Sequence, residues 1–242
     1  MRTPLTVLAA TAALILGLSG IVATAPAQAA PPKCSDLKGT TDAQQNCVIQ
    51  EGDPGYTLSI TYPTDYPDVQ PVYDWVKQTR DGFVNVAKTP DPRTMPYQLE
   101  VSATEYNSAV PPRGTHSVVF KVFEDVGGAN PQTFYKAFNW DQGYRFPIVL
   151  DNMGQEKIQP LFQPGTNPYP VIFELVQAEL EKQTGTKPAI SPAVGLNPAT
   201  YENFAIQNDT LMFFFDQGEI LPESAGAQAV TIPRGPVDRM IA

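Results

Sequence analysis

One histidine limits what catalysis this chain could perform. A Ser-His-Asp triad would have to use His116, which opens an apolar strand just after Pro111-Pro112-Arg113-Gly114-Thr115. A histidine placed there is more often a strand-end residue than a base. The nucleophile elbow G-x-S-x-G does not occur; its nearest approach, Gly17-Leu18-Ser19-Gly20, sits in the amino-terminal leader. Ser108, Ser117 and Ser224 remain as unconventional nucleophiles with His116 as their one candidate base. Asp216, Glu219 and Glu223 follow the run Phe213-Phe214-Phe215 and could serve as acid and base on a glycoside, or hold calcium. Their spacing fits no calcium loop, and loop carboxylates in an acidic protein are ordinarily just solvated. Asp65 and Asp68, around Tyr66-Pro67, form a weaker pair. Two cysteines and one histidine argue against a zinc site, so neither metal nor cofactor is expected.

Binding asks for different residues. Phe134, Tyr135, Phe138, Trp140 and Tyr144 crowd one strand and its exit, which makes both faces of that strand aromatic. One face must be core. The other is either covered as well or offers a contact surface for sugar rings or a partner protein. Together with Glu219 and Glu223 these are the candidate partner-binding residues. The net charge of -9 opposes nucleic acid and anionic lipid, so the expected partner is a protein or glycan of a host or of the cell envelope, met by a monomer.

The elements that must position these groups begin with a leader. Arg2, an apolar run from Leu5 to Val22 and then Ala27-Gln28-Ala29 follow the charged, apolar, small-residue order of a secretory signal, residues 1–29, cut after Ala29. Losing Arg2 leaves the exported part, 30–242, still more acidic. In an exported chain Cys34 and Cys47 are expected to pair, adding on the order of 3 kcal/mol. Period-2 alternation predicts strands over Tyr56–Tyr62 and Tyr97–Ser102, with further strands over His116–Val126, Gln132–Trp140, Asn203–Gln207, Thr210–Asp216 and Ala229–Ile232. Val72, Trp75, Val76, Thr79, Phe83, Val86 and Ala87 share one face of a helix that starts with Pro71 at its first position. Trp75 and Phe83 are both expected to be buried on the sheet. A second helix spans about Pro170–Thr184 and stops at Gly185. The fold class is α+β: antiparallel sheet packed on two helices, in one exported domain whose proline- and glycine-rich stretch 146–168 is the place where two lobes would meet.

Several segments carry a resemblance: Cys34 with Cys47, Thr79-Arg80-Asp81, Pro111-Pro112-Arg113-Gly114-Thr115, Tyr135-Lys136-Ala137-Phe138-Asn139-Trp140-Asp141, Asn203-Phe204-Ala205, Phe213-Phe214-Phe215, Gly218-Glu219-Ile220-Leu221-Pro222-Glu223, Ala225-Gly226 and Ile232-Pro233. Over nearly its whole exported length the chain resembles the secreted mycobacterial immunogenic proteins of the MPT/MPB sixty-four type. Its tail is similar, more distantly, to the extracellular domain of anti-sigma factors that sense lysozyme and to a domain attached to some peptidoglycan deacetylases. Those wider relatives carry an aromatic residue where this chain has Gly218. The resemblance implies a secreted antigen with an α+β, β-grasp-like fold and no established catalytic residues. The leading functional expectation is therefore a non-catalytic binding protein; the alternatives are a secreted esterase or hydrolase with an unconventional site, and a lipid carrier, which would need an interior apolar cavity.

Overall fold

The computed structural model describes residues 32–89, 95–109, 114–128, 130–150 and 156–242. The expected leader, 1–29, and Pro111-Pro112-Arg113 lie outside the described residues. The first sheet has eight strands in sequence order: β1 (Thr40–Thr41), β2 (Asn46–Asp53), β3 (Tyr56–Pro63), β4 (Tyr97–Ser108), β5 (Thr115–Asp125), β6 (Gln132–Asp141), β7 (Phe146–Val149) and β8 (Gln159–Pro160). A second sheet has three, in the order β11 (Gln228–Pro233), β10 (Thr210–Phe215) and β9 (Phe204–Ile206). The α+β class holds. Two neighbouring pairs, β3–β4 and β7–β8, run parallel. The first follows from helix α1 (Val69–Ala87), which returns the chain between β3 and β4 to the end of the sheet from which β3 started.

The helices cover different sheets. Val72, Val76 and Phe83 of α1 are buried with Leu58, Ile60, Leu99, Val101, Phe120 and Val122 on one face of the eight-stranded sheet. Helix α2 (Tyr169–Thr184) buries Ile172, Val176 and Leu180 against Phe213, Phe215, Val230 and Ile232 of the three-stranded sheet. A third cluster joins the sheets face to face: Val119 of β5, with Tyr106, Tyr135 and Ala137, meets Ala205, Met212 and Phe214. The layers therefore run helix, sheet, sheet, helix. Among the described residues no helix is long and apolar enough to cross a membrane.

Cys34 and Cys47 form the expected disulfide, which ties the 3-10 turn Cys34–Leu37 to β2. Gly39 is required beside it, because a Cβ there would come within 2.6 Å of the Cys34 sulfur. Arg80 pins α1 to the same region: its Nε donates to Glu51 of β2 at 2.6 Å and its Nη1 to Asp81 at 2.6 Å.

Three expectations need correction. α1 begins two residues earlier than Pro71, at Val69; a proline is tolerated there because the first helical turn needs none of its own amide donors. Val86 is 48% exposed, and Val84 lies in the core instead, since the buried stripe is centred on Val72, Val76, Phe83 and Ala87. Trp75 is only partly buried, with its ring 4.7 Å from that of Phe120 and 6.2 Å from that of Phe138. The stretch 146–168 contributes β7 and β8 to the first sheet.

These placements order three substitutions. Phe83→Ala should cost about 3–5 kcal/mol and Trp75→Ala distinctly less, while Val86→Ala should stay within about 0.5 kcal/mol of wild type. Urea unfolding measures all three; a loss at Val86 equal to that at Phe83 would mean that the helix presents another face.

Candidate functional site

Strand β6 carries most of the aromatic candidates, and its hydrogen bonding decides what they can do. In an extended strand alternate amides point to the same edge. β7 pairs with β6 only at Asn139, Trp140 and Asp141. The amides of Thr133, Tyr135 and Ala137 lie along the rest of that edge, and side-chain oxygens cap all three. Thr133 N–H donates to Gln217 Oε1 at 3.2 Å, Tyr135 N–H to Asp216 Oδ1 at 2.7 Å, and Ala137 N–H to Asn203 Oδ1 at 3.0 Å. Gln217 N–H returns a bond to the Thr133 carbonyl at 2.9 Å.

Both faces of β6 are partly covered, and its aromatic side chains are half-buried. Phe134, Phe138 and Trp140 pack against the α1 cluster, while the Tyr135 ring faces the second sheet, 5.3 Å from Phe214. Tyr144, in the turn that Asp141 caps, is 47% exposed. Glu219 accepts the Asp216 N–H at 2.9 Å, so the two carboxylates act in series to hold the turn that follows β10. Burial raises both above the ordinary carboxylate range, and the amide bonds from Tyr135 and Asp216 pull them partly back. Gly218 stands at φ 82, in the left-handed region, which favours glycine. Glu223 and Ser224 are exposed on the 3-10 turn Glu223–Ala225. With Asn130, Pro131 and Gln217 they line a cleft of about 400 Å³.

The hydrolase candidates are dispersed. His116 Nε2 and Glu105 Oε2 lie 2.5 Å apart, with the Tyr66 ring edge-on at 5.2 Å. Ser117 follows His116 in an extended strand and so points to the opposite face, where its buried hydroxyl accepts from Ile206 N–H at 3.4 Å. Ser108 follows Asn107, the cross-strand neighbour of His116, and is likewise on the opposite face, 3.4 Å from Asn208 Oδ1. Among the described residues no group of three His, Cys, Asp or Glu side chains could hold a metal ion.

Two residues that the sequence marks only through the family resemblance, and not as site candidates, shape a second concavity. Asn139 of β6 is 5% exposed and donates through Nδ2 to the Phe204 carbonyl at 3.0 Å. Phe204 and Asn139 help to line a cavity of about 500 Å³. An asparagine between Phe138 and Trp140, in a strand otherwise covered by apolar side chains, was the available signal.

Comparison with known proteins agrees with this architecture. Residues 160–235 match the family described as "Protein of unknown function (DUF3298)". The chain is 46% identical over 232 residues to the immunogenic proteins MPB64 of Mycobacterium bovis and MPT64 of Mycobacterium tuberculosis, covering 96% of this chain and of each relative. It is also 46% identical over 212 residues to an M. tuberculosis protein named as an esterase, covering 88% of this chain and 90% of that one. Among solved structures, a DUF3298 protein of Pseudomonas aeruginosa superposes with a TM-score of 0.55 at 12% identity, over 84% of this chain and 96% of that one. One of Bacteroides fragilis gives 0.51 at 14% identity, over 84% and 95%. At those identities the likeness is one of fold.

The capped edge yields a pH prediction. A carboxyl whose folded pKa is raised binds its proton more tightly in the fold than in the unfolded chain. Its contribution to stability is complete below the ordinary titration near pH 4 and is lost as pH rises through the folded value. Asp216→Asn keeps an oxygen for the Tyr135 amide but does not ionise. The melting temperature of wild type relative to Asp216→Asn should therefore fall as pH rises from about 4 toward 7. Asp216→Ala leaves the amide without that acceptor and should cost about 1–3 kcal/mol. Thermal melts across the pH series measure both, and a difference between wild type and Asp216→Asn that stays flat with pH would mean that the carboxyl is solvated.

Proposed function

The chain belongs to the family of the mycobacterial immunogenic proteins MPB64 and MPT64, and from that premise we propose that it is an exported, non-catalytic binding protein contacting a host or cell-envelope macromolecule. One observation carries the reading. Asp216 and Glu219 each use one carboxylate oxygen to fix the turn after β10 to β6, and Glu223 and Ser224 stand exposed beside an open cleft. A rigid turn of that kind presents a donor and several acceptors at little entropic expense, which suits recognition of hydroxyl or amide groups on a glycan or a protein loop. Glu223 is the anchor of this surface. Glu219 supports it from beneath, and the exposed Tyr144 supplies an aromatic contact at the other end of β6.

Ester hydrolysis is the second reading. Its support is the relative named as an esterase, together with the pairing of His116 with Glu105, the way a carboxylate orients a histidine base. Against it stands the placement of Ser108 and Ser117 on the face away from His116.

Two measurements on the purified exported chain decide between them. On short-chain esters, wild type and the Ser108→Ala, Ser117→Ala, Ser224→Ala and His116→Ala variants should all remain at background. In capture from envelope and host-cell extracts, Glu223→Lys should retain at least tenfold less of whatever wild type retains, with an unchanged melting temperature because the residue is exposed. Turnover that one of the serine or histidine changes abolishes would replace the binding reading with the hydrolase.

A further inference from the structure

The cavity beside β6 and β7 has the make-up of a ligand site. Ala137, Ile148, Leu150, Ala199 and Phe204 form the apolar part of its wall, Lys136, Asn197 and Glu202 add polar groups, and its volume of about 500 Å³ falls within the range, roughly 300–1,000 Å³, that small-molecule sites occupy. Asn139 is the polar group in that wall with the least exposure, at 5%. The bond from its Nδ2 to the Phe204 carbonyl fixes the amide plane and assigns the other atom as oxygen. That oxygen, Oδ1, is buried without a hydrogen-bond partner among the described residues. A carbonyl oxygen in that state is destabilising, and a ligand that brings a donor recovers the loss.

We propose that this cavity binds a small neutral molecule in which an N–H donor sits beside an apolar group, as in a secondary amide, with the N–H donating to Asn139 Oδ1. The alternatives fit less well. A carboxylate would set an acceptor against the Asn139 acceptor, and Lys136, the cation of the lining, is exposed with its ammonium 5.6 Å from the Phe138 ring. An ammonium brings three donors where Asn139 offers one acceptor, and Glu202, the acidic residue of the lining, is exposed at the mouth. A hydroxyl carries donor and lone pairs on one atom, so its acceptors would be buried with the donor, whereas a trans secondary amide keeps its acceptor on a carbonyl that points away from the N–H and can face the open mouth. The methyl or aryl group beside the N–H then rests on Ile148, Leu150 and Phe204. No residue of this site belongs to the cleft around Glu223, so the two readings stand or fall separately.

The test is a titration of isotope-labelled protein, read by amide chemical shifts, with two probes of the same shape: acetanilide, and phenylacetone, in which CH2 replaces the N–H. Acetanilide should shift the Asn139 side chain and the Ala137 and Ile148 amides and bind on the order of tenfold more tightly than phenylacetone. Ala199→Trp, at an exposed rim position, should fill the space and abolish both titrations. Asn139→Ala should make the two probes equal. If Asn139→Ala does not fold, the probe ratio on wild type and the loss in Ala199→Trp still decide. Equal affinities on wild type, no shift at these residues, or binding that survives Ala199→Trp would each overturn the proposal.

Discussion

A strand edge left half covered governs how this molecule is assembled. β7 protects β6 only at Asn139–Asp141, and the remaining amides would face water or the edge of another chain, the usual route to unwanted strand pairing. Side chains of Asn203, Asp216 and Gln217 close that edge. They come from both ends of the β9–β10 segment, so the second sheet can occupy only one position along β6. The Tyr135–Phe214 contact and the bond from Asn139 to the Phe204 carbonyl then follow from that register.

The same constraint explains the unusual run Phe213-Phe214-Phe215. A strand with one wet face alternates apolar and polar residues; a strand covered on both faces need not. Phe213 and Phe215 point to α2, and Phe214 points into the space between the sheets, so all three are buried. Asp216 and Glu219, which as a cluster of carboxylates suggested acid–base chemistry, are the polar end of this construction. One oxygen of each accepts a main-chain amide, and burial makes ionisation costly.

How much of this could be read from the chain depended on sequence distance. Local periodicity sufficed for β3, for the first half of β4, for the extent of α2 and for the strand that includes Tyr135, while the second half of β4, Ala103–Ser108, was not read. β2 escaped because Cys47 and Ile49 are its only fully buried side chains. Val86 was misplaced because a stripe on a helix is wider than its contact with a flat sheet, and the edge of the stripe is settled by the sheet's own side chains. The seam itself was illegible. Tyr135 and Asp216 are 81 residues apart and Ala137 and Asn203 are 66 apart, and no local rule links an amide to an oxygen at that distance. Yet three of the segments that carry the family resemblance lie on the two sides of this seam: Tyr135–Asp141 on one side, Asn203–Ala205 and the turn after Phe215 on the other. The candidate cavity left a single trace in the sequence, an asparagine inside an aromatic strand.

The seam also sets a timetable. A chain delivered amino end first can finish β1 to β7, disulfide included, well before Asn203 and Asp216 arrive. During that interval the outer half of β6 is a bare template of main-chain donors, flanked by Phe134 and Phe138. At synthesis rates of about 5–20 residues per second the wait lasts seconds, long enough for two such intermediates to meet at high concentration. A truncation after β8 would make the interval permanent. Such a fragment would keep the α1 core and its disulfide and still be prone to self-association, because the groups that guard its edge belong to the part of the chain delivered last.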